Sequence, residues 1–481
     1  MPHQADGRAG QAPGNQGTQD RPPRSSFRAD LRAVLGEPDF RKLFAARLVS
    51  QTGDGIFNAG LGAYVFFSAQ SFPDPGAAAL AFAVLYLPYS LVGPFAGVFI
   101  DRWSRRQILV WSALARFVFV AVAASFVASG TFGLPLYIGA LLVLGVNRFF
   151  LSSLSAALPH VVSSDKLVMA NSVAPTSGTV VSFLGGILGI GVHLVTGGGQ
   201  IGSAATLLTG GLCYAAAGLV ATRMPRDLLG PDRGQAAAAT AGVGAELGAV
   251  MRGLAAGARH VFRRRRAGAV LAATAASRFL YGILLLMSVL LYRNYFYRES
   301  GSNSALGHYL LIVIASAIGY GAAAVLTPVA TRRLSKAAWI TILLAAGGIG
   351  TGILGTGFRQ PGFLVIAFLL GVAAQGVAIC ATTTLQQEVE DDFRGRVFSL
   401  YDMLFNGAFV AGAAGSALFM PDSGHSYTML LVVAVGYVVA AGGFWLIYRQ
   451  PAGAGSPGSS AGPAGGVAPA APASAAQPRS S

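Results

Sequence analysis

Between Leu43 and Tyr448 the chain is a succession of about a dozen apolar stretches, each near the roughly 20 residues that a helix needs to cross a bilayer core about 30 Å thick. This pattern leaves few possible folds. In lipid every backbone N–H and C=O must be satisfied within the structure, so stretches of this length and continuity cross as helices. The spans fall near 43–68, 78–100, 107–129, 134–158, 167–194 and 202–222, then 268–292, 305–331, 338–357, 362–387, 396–420 and 427–448. The glycine-broken 338–357 stretch is the weakest of them. The expected fold class is an all-α polytopic membrane protein, with 12 transmembrane helices in two six-helix bundles related by a pseudo-twofold axis.

Composition supports this reading. Hydrophobic residues are 53% of the 481 and charged residues only 11%, far from the balance of a soluble domain. Residues 1–42 and 449–481 are polar and rich in Gly, Pro, Ala, Ser and Gln, and are expected to be disordered cytosolic tails. No signal-peptide core precedes the first span. A net charge of +15 invites a nucleic-acid reading, but the basic residues gather in alternate loops beside lipid. That is the distribution of the positive-inside rule, and no nucleic-acid partner is expected. The tails, Arg102, Arg105, Arg106, Lys166, the 223–267 linker, Arg332, Arg333, Lys336, Arg394, Arg396 and Arg449 count as inside. Arg293, Arg298 and Arg359 count as outside, so both termini are expected in the cytoplasm. Cys213 and Cys380 lie alone in separate spans, which argues against a disulfide or zinc site, and neither a metal nor a cofactor is expected.

The linker separates an expected N-terminal bundle, 43–222, from a C-terminal one, 268–448. From Glu246 onward it places Leu247, Val250, Met251, Leu254, Val261 and Phe262 at helical spacing among arginines. Such a helix suits an anionic lipid surface, and an ordinary topology-setting basic linker explains the residues as well. The halves also echo each other. Aligning the loop after the second span with the loop after the eighth matches Arg102 with Arg332 and Arg106 with Lys336, while Asp101 meets Thr331.

That first loop reads Gly97-x-x-x-Asp101-Arg102-x-x-Arg105-Arg106. It resembles the signature loop of the major facilitator superfamily, with Ser104 where the family usually has glycine. The resemblance covers residues 43–448. It implies the major facilitator fold, a small-molecule substrate, a commonly monomeric carrier and no enzymatic activity. It also implies a conformational latch of Gly97, Asp101, Arg102, Arg105 and Arg106 against the start of the eleventh helix, where Glu388, Arg394 and Arg396 stand. Gly93 and Gly97 offer a small-residue face for close helix approach. In the fifth span, Gly178, Gly185, Gly186 and Gly189 resemble a worn version of the family's antiporter motif. Glycines that simply pack a helix closely are the competing reading. Arg148, in Leu144-Gly-Val-Asn147-Arg148, is similar to the fourth-helix arginine that the family ties to proton transfer or substrate charge.

Ionisable residues within spans are costly and mark function by default. Asp54 is the carboxylate deepest in the first half, and burial disfavours its charged form, so it is a candidate for proton coupling. The alternative is a structural ion pair with Arg47, Arg116 or Arg148. Arg116 and Arg148 sit mid-span, Arg278 is read as snorkelling from the seventh helix, and Asp402 and Asn406 lie on the eleventh. Asp402 suits either a second titrating group or a helix cap. Phe57, Phe66, Phe67, Tyr86, Phe149 and Phe150 are candidates for a cavity wall. No lysine follows a glycine, so a Walker phosphate loop is excluded.

The first helix and the Arg394-Gly-Arg396 turn look like the bacterial macrolide, siderophore and multidrug exporter branch. The expected function is proton-coupled efflux of a small hydrophobic or amphipathic compound across the bacterial plasma membrane. A proton-coupled importer of a sugar or organic acid, and a non-transporting sensor or scaffold on the same fold, are the alternatives. Expected partners are the small-molecule substrate, protons and membrane lipids.

Overall fold

The computed structural model describes residues 27–67, 74–91, 103–131, 133–163, 166–225, 228–229, 243–299 and 302–449. Gly93, Gly97, Asp101 and Arg102 of the signature loop lie outside these residues. So do the greater part of both expected tails and the middle of the linker.

The chain is helical from α1 (Phe27–Gly36) and α2 (Pro38–Phe67) through α3 (Pro75–Leu91), α4 (Arg105–Ala128), α5 (Leu134–Ala157), α6 (Leu167–Val195) and α7 (Gly199–Thr222). After the linker come α8 (Val243–Arg263), α9 (Arg265–Leu290), α10 (Ser302–Ala330), α11 (Lys336–Gly355), α12 (Gln360–Glu388), α13 (Asp391–Ala417) and α14 (Tyr427–Arg449). Ten of these helices are long and apolar enough to cross a membrane. To them are added α2, which is 30 residues long but carries Asp39, Arg41, Lys42, Arg47 and Asp54, and α3, which is described over 17 residues. The result is the expected twelve-helix, all-α architecture. Trp111, Leu212, Leu219, Ile353, Leu431 and Val439 point outward and are each more than half exposed. A belt of large apolar side chains of that kind belongs in lipid.

The two halves repeat one packing scheme. In the first, α2 packs on α6 and α7, α4 on α5 and α7, and α3 on α5. In the second, α9 packs on α13 and α14, α11 on α12 and α14, and α10 on α12. Glycines make the tightest of these contacts. A Cβ built on Gly55 of α2 would run into the Ser182 carbonyl of α6, and one on Gly189 would stand 2.9 Å from the Ala59 Cβ. Gly282 of α9 meets the Phe409 carbonyl of α13 in the same way, and Gly412 meets that of Phe279. Without a hydrophobic drive between helices in lipid, such backbone approach is what holds neighbours together. Gly55→Ala is therefore expected to lower the thermal unfolding midpoint in detergent, at about 1–3 kcal/mol for overpacking; an unchanged midpoint would show that the seam has slack.

Several local features follow from the sequence. The glycine-rich 338–357 stretch is a regular helix, α11, started by Ser335, whose Oγ accepts from the Ala338 N–H at 3.1 Å. Its Gly348 lies against Tyr437 of α14. Proline falls within α3 at Pro88, within α6 at Pro175 and within α10 at Pro328. The N-terminal tail requires a correction: disorder is expected to residue 42, but α1 is helical and α2 begins at Pro38. The cause is apolar spacing that buries Val34 fully beside Phe40 and Leu43.

Described contacts between the halves gather toward the end of the bundle that carries Phe66. Arg293 Nη1 donates to the Phe66 carbonyl at 2.6 Å. The Phe67 and Tyr309 rings meet at 5.3 Å. Phe409 of α13 receives Phe82 and Tyr86 of α3, at 5.7 and 4.5 Å.

Candidate functional site

Inside the first half, Ser50 and Asp54 stand one turn apart on α2, and Asn147 and Phe150 stand i,i+3 on α5. Both pairs therefore present a single face. Arg116 of α4 enters between them and is fully buried. Its Nη1 donates to Asp54 Oδ1 at 3.2 Å and to Asn147 Oδ1 at 2.7 Å, and its Nη2 donates to Ser50 Oγ at 2.9 Å. Asn147 Nδ2 donates to the other Asp54 oxygen at 3.2 Å, and the Tyr214 hydroxyl also hydrogen-bonds this carboxylate. The guanidinium lies between the rings of Phe150 and Tyr214, 4.3 and 4.2 Å from their centroids. Of the partners considered for Asp54, Arg116 is thus the one in place. Arg47 bonds Gln51 instead, at 3.0 Å. This is an ion-pair network in which both Asp54 oxygens and both terminal nitrogens of Arg116 are hydrogen-bonded, the condition under which a buried pair is tolerated.

A second set of groups lies where the halves meet. Arg148 of α5 is half-buried and acts electrostatically on Asp402 of α13, which is exposed. Asn406, one turn further along α13, donates Nδ2 to the Asp402 carbonyl at 3.0 Å. Arg278, expected to snorkel from the membrane edge, sits 13 residues inside α9 and is only 6% exposed. At 1.5 Å per residue that is about 20 Å from the helix start, beyond any side chain's reach. It turns inward instead. Its Cζ is 3.7 Å from the Phe405 centroid and 5.4 Å from that of Tyr281, and Nη1 donates to the Tyr320 hydroxyl at 3.3 Å. Tyr86 from the other half also faces this charge, and Phe183 of α6 meets Tyr320 at 6.1 Å.

Most of the aromatic residues proposed for a cavity wall lie elsewhere. Phe57 and Phe150 are buried in the first half, Phe66 and Phe67 belong to the clasped end, and Phe149 packs beside Ile108. Tyr86 alone of that set adjoins Arg278. The rings that do surround it, Tyr281, Tyr320, Phe405 and Phe409, carried one readable signal: Arg278 and Tyr281 are i,i+3 on α9, and Phe405 and Phe409 are i,i+4 on α13.

At the other end of the bundle the described ion pairs and arginine hydrogen bonds do not join the two halves. Arg105 bonds His160 and the Leu229 carbonyl, and Arg106 Nη2 donates to the Thr222 carbonyl at 2.8 Å. Glu388 and Glu390 pair with Arg266 and Arg264. Arg394 falls in the first turn of α13. Arg396 packs against Gly253 and Gly257 of α8, whose His260 stacks on Phe393 at 4.3 Å. The linker helix is thus docked on α13. In α6, a Cβ on Gly178 would strike Gln51 and one on Gly185 would strike the Thr52 carbonyl, while one on Gly186 would stand 3.8 Å from the Gly55 carbonyl. All of these glycines face α2. Among the described residues, no cluster of His, Cys, Asp and Glu is arranged to hold a metal ion.

Comparison with known proteins bears on this arrangement. The sequence model of the Major Facilitator Superfamily matches residues 43–413. Uncharacterised MFS-type transporters of Mycobacterium tuberculosis (strain H37Rv) and Mycobacterium bovis (strain AF2122/97) are each 38% identical over 408 residues, covering 83% of this chain and 89% of theirs. Among solved structures, the nucleoside transporter NupG superposes with a TM-score of 0.61 at 15% identity, covering 85% of this chain and 99% of that one. The xylose transporter XylE from E. coli gives 0.56 at 14% identity, covering 86% and 98%. At such identities these structures speak for the fold alone.

Proposed function

We propose that this chain, which belongs to the Major Facilitator Superfamily, is a secondary active transporter that exports a small amphipathic compound in exchange for protons. The reading is carried by the charge of Arg148, in the first half, acting on the carboxylate of Asp402, in the second. A carboxylate exposed on the seam between the halves can exchange a proton as they rock, and its attraction to the guanidinium exists only while it is ionised. Proton binding at Asp402 therefore alters the force between the halves, which is what coupling requires. The enclosed Asp54 is better suited to hold α2 on α4 and α5 through Arg116, so this mechanism assigns it the structural role.

The distribution of basic residues orients the clasped Phe66–Arg293 end outward and both termini inward. In this reading the structure is the state closed to the outside. Arg105, Arg106, Glu388 and Arg396 would exchange their partners within each half for partners across the seam when the other face closes, and Asp101, Arg102 and Arg394 are assigned to the same latch. One chain supplies both halves of the seam, so the working unit is a monomer in the bacterial plasma membrane.

Aromatic walls around the seam favour amphipathic cargo, and the glycine face of α6 is consistent with an exporter. Import of a sugar or organic acid would use the same groups with the flux reversed. The two are separated in everted membrane vesicles carrying a pH-sensitive dye and screened with a chemically diverse panel. Export predicts that a cargo compound enters the everted vesicle while dissipating the pH gradient; dissipation only when the compound is inside would establish import. Labelled-cargo counterflow in proteoliposomes, if absent for every compound, would instead identify a sensor or scaffold.

A further inference from the structure

The buried arginines differ in how their charge is answered. Arg116 has Asp54 and Arg148 faces Asp402. Among the described residues Arg278 has no carboxylate in ion-pair contact: Tyr320 is its hydrogen-bond partner, and its buried Nε–H, like that of Arg116, has none. A full charge in so enclosed a place is costly unless something pairs with it. Aromatic faces offset part of that cost, and the rings of Phe405, Tyr281 and Phe409 stand at 3.7, 5.4 and 5.8 Å. A ring face, however, accepts no directed hydrogen bond of the strength a carboxylate provides.

Aromatic rings from both halves enclose this charge, and Phe409, 1% exposed, closes against Tyr86 at 4.5 Å. Tyr281, Phe405 and Tyr320 from the second half and Tyr86 from the first are all half-buried rather than sealed. Tyr86 and Phe183 belong to helices of the opposite half from Arg278. Rocking of the halves therefore parts these rings and opens a path to the guanidinium.

We propose that Arg278 is the anchor for the anionic group of an amphipathic solute, its carboxylate on the guanidinium and its apolar body between Tyr86, Tyr281, Phe405 and Phe409. In calling that solute the cargo, the proposal rests on the transport reading; the binding site itself does not. The occupant is thus set apart from neutral sugars and from the lipophilic cations that a purely aromatic cavity would take.

The test uses the full-length protein in phosphatidylcholine nanodiscs. Equilibrium binding is measured for a set of aryl and alkyl carboxylates, naphthylacetate among them, each beside its carboxamide and its amine. At least one acid is expected to bind about tenfold or more tightly than its amide, the scale of a charged hydrogen bond. Arg278→Gln should erase that preference while leaving amide affinity within about a factor of three, and Arg278→Lys should keep part of it. The comparison of acid with amide on the unaltered protein decides the matter even if a variant folds poorly. Acids that bind no better than their amides, or a preference that survives Arg278→Gln, overturns the proposal. Discs containing phosphatidylglycerol supply the other source of an anion: undiminished acid binding there supports a solute site, and its loss assigns the guanidinium to a lipid headgroup instead. If acids bind through Arg278 but no compound crosses the membrane, transport fails and the anchor stands. If a neutral or cationic compound crosses at a rate that Arg278→Gln leaves unchanged and no acid is preferred, transport stands and the anchor fails.

Discussion

Arg116→Leu is expected to destabilise the protein by about 3–5 kcal/mol, the scale on which removing one member of a buried ion pair leaves the other uncompensated. Its surroundings make the loss severe. Asp54 would keep only the Asn147 and Tyr214 donors, Asn147 Oδ1 and Ser50 Oγ would each lose a hydrogen bond, and Phe150 and Tyr214 would face a gap where the guanidinium lay. Asp54→Asn should cost less, because the amide retains hydrogen bonding but presents Arg116 with an unanswered charge. Combining the two changes should give back part of the sum, since each single change exposes the same missing charge. Thermal unfolding in detergent, read by intrinsic fluorescence, measures all of them. If Asp54→Asn folds and unfolds like the native chain but abolishes the dye response to cargo, Asp54 exchanges the proton and its assignment as a tie between helices is wrong.

The second large effect belongs to Asp402. Each unit of pH difference across the membrane is worth about 1.4 kcal/mol per proton, or about tenfold accumulation of cargo. A carrier whose coupling proton resides on Asp402 loses that factor on Asp402→Asn substitution, because the amide neither binds nor releases the proton. Exchange of labelled for unlabelled cargo at equal pH does not require net proton movement and should persist. Proteoliposomes with an imposed pH gradient provide both measurements. Uphill accumulation that remains at the native level in the Asp402→Asn variant would remove Asp402 from the coupling step and return attention to Asp54.

Helix positions were legible in the sequence because hydrocarbon thickness sets the length of each apolar run and charges end it. Even the glycine-broken 338–357 stretch obeyed that rule, since the glycines of α11 meet neighbouring helices rather than bend out of register. Tertiary partners were less legible. Asp54 had three candidate arginines, and only the convergence of α2, α4, α5 and α7 selects Arg116. The turn-apart pairs Ser50/Asp54 and Asn147/Phe150 were visible, but nothing along the chain shows that they face each other. Snorkelling is the ordinary behaviour of an arginine near a membrane edge, yet the depth of Arg278, about 20 Å within α9, already forbids it. The aromatic residues mislead for a related reason: ring chemistry is equally at home against lipid, in a core or at a seam. The N-terminal boundary shifts because a short amphipathic repeat around Val34 outweighs the polar, Arg-rich composition on either side of it.

The glycine-to-carbonyl contacts at Gly55 and Gly282 carry a mechanical implication. With no side chain between them, α2 and the stretch of α6 beyond Pro175 act as one strut, and α9 and α13 as another, since any parting would forfeit contact along the whole seam. Deformation during turnover must then be absorbed elsewhere. The counterpart helices α3 and α10 are suited to it: Pro88 and Pro328 each delete a backbone hydrogen bond, so these two can flex like leaf springs while the struts tilt as rigid bodies.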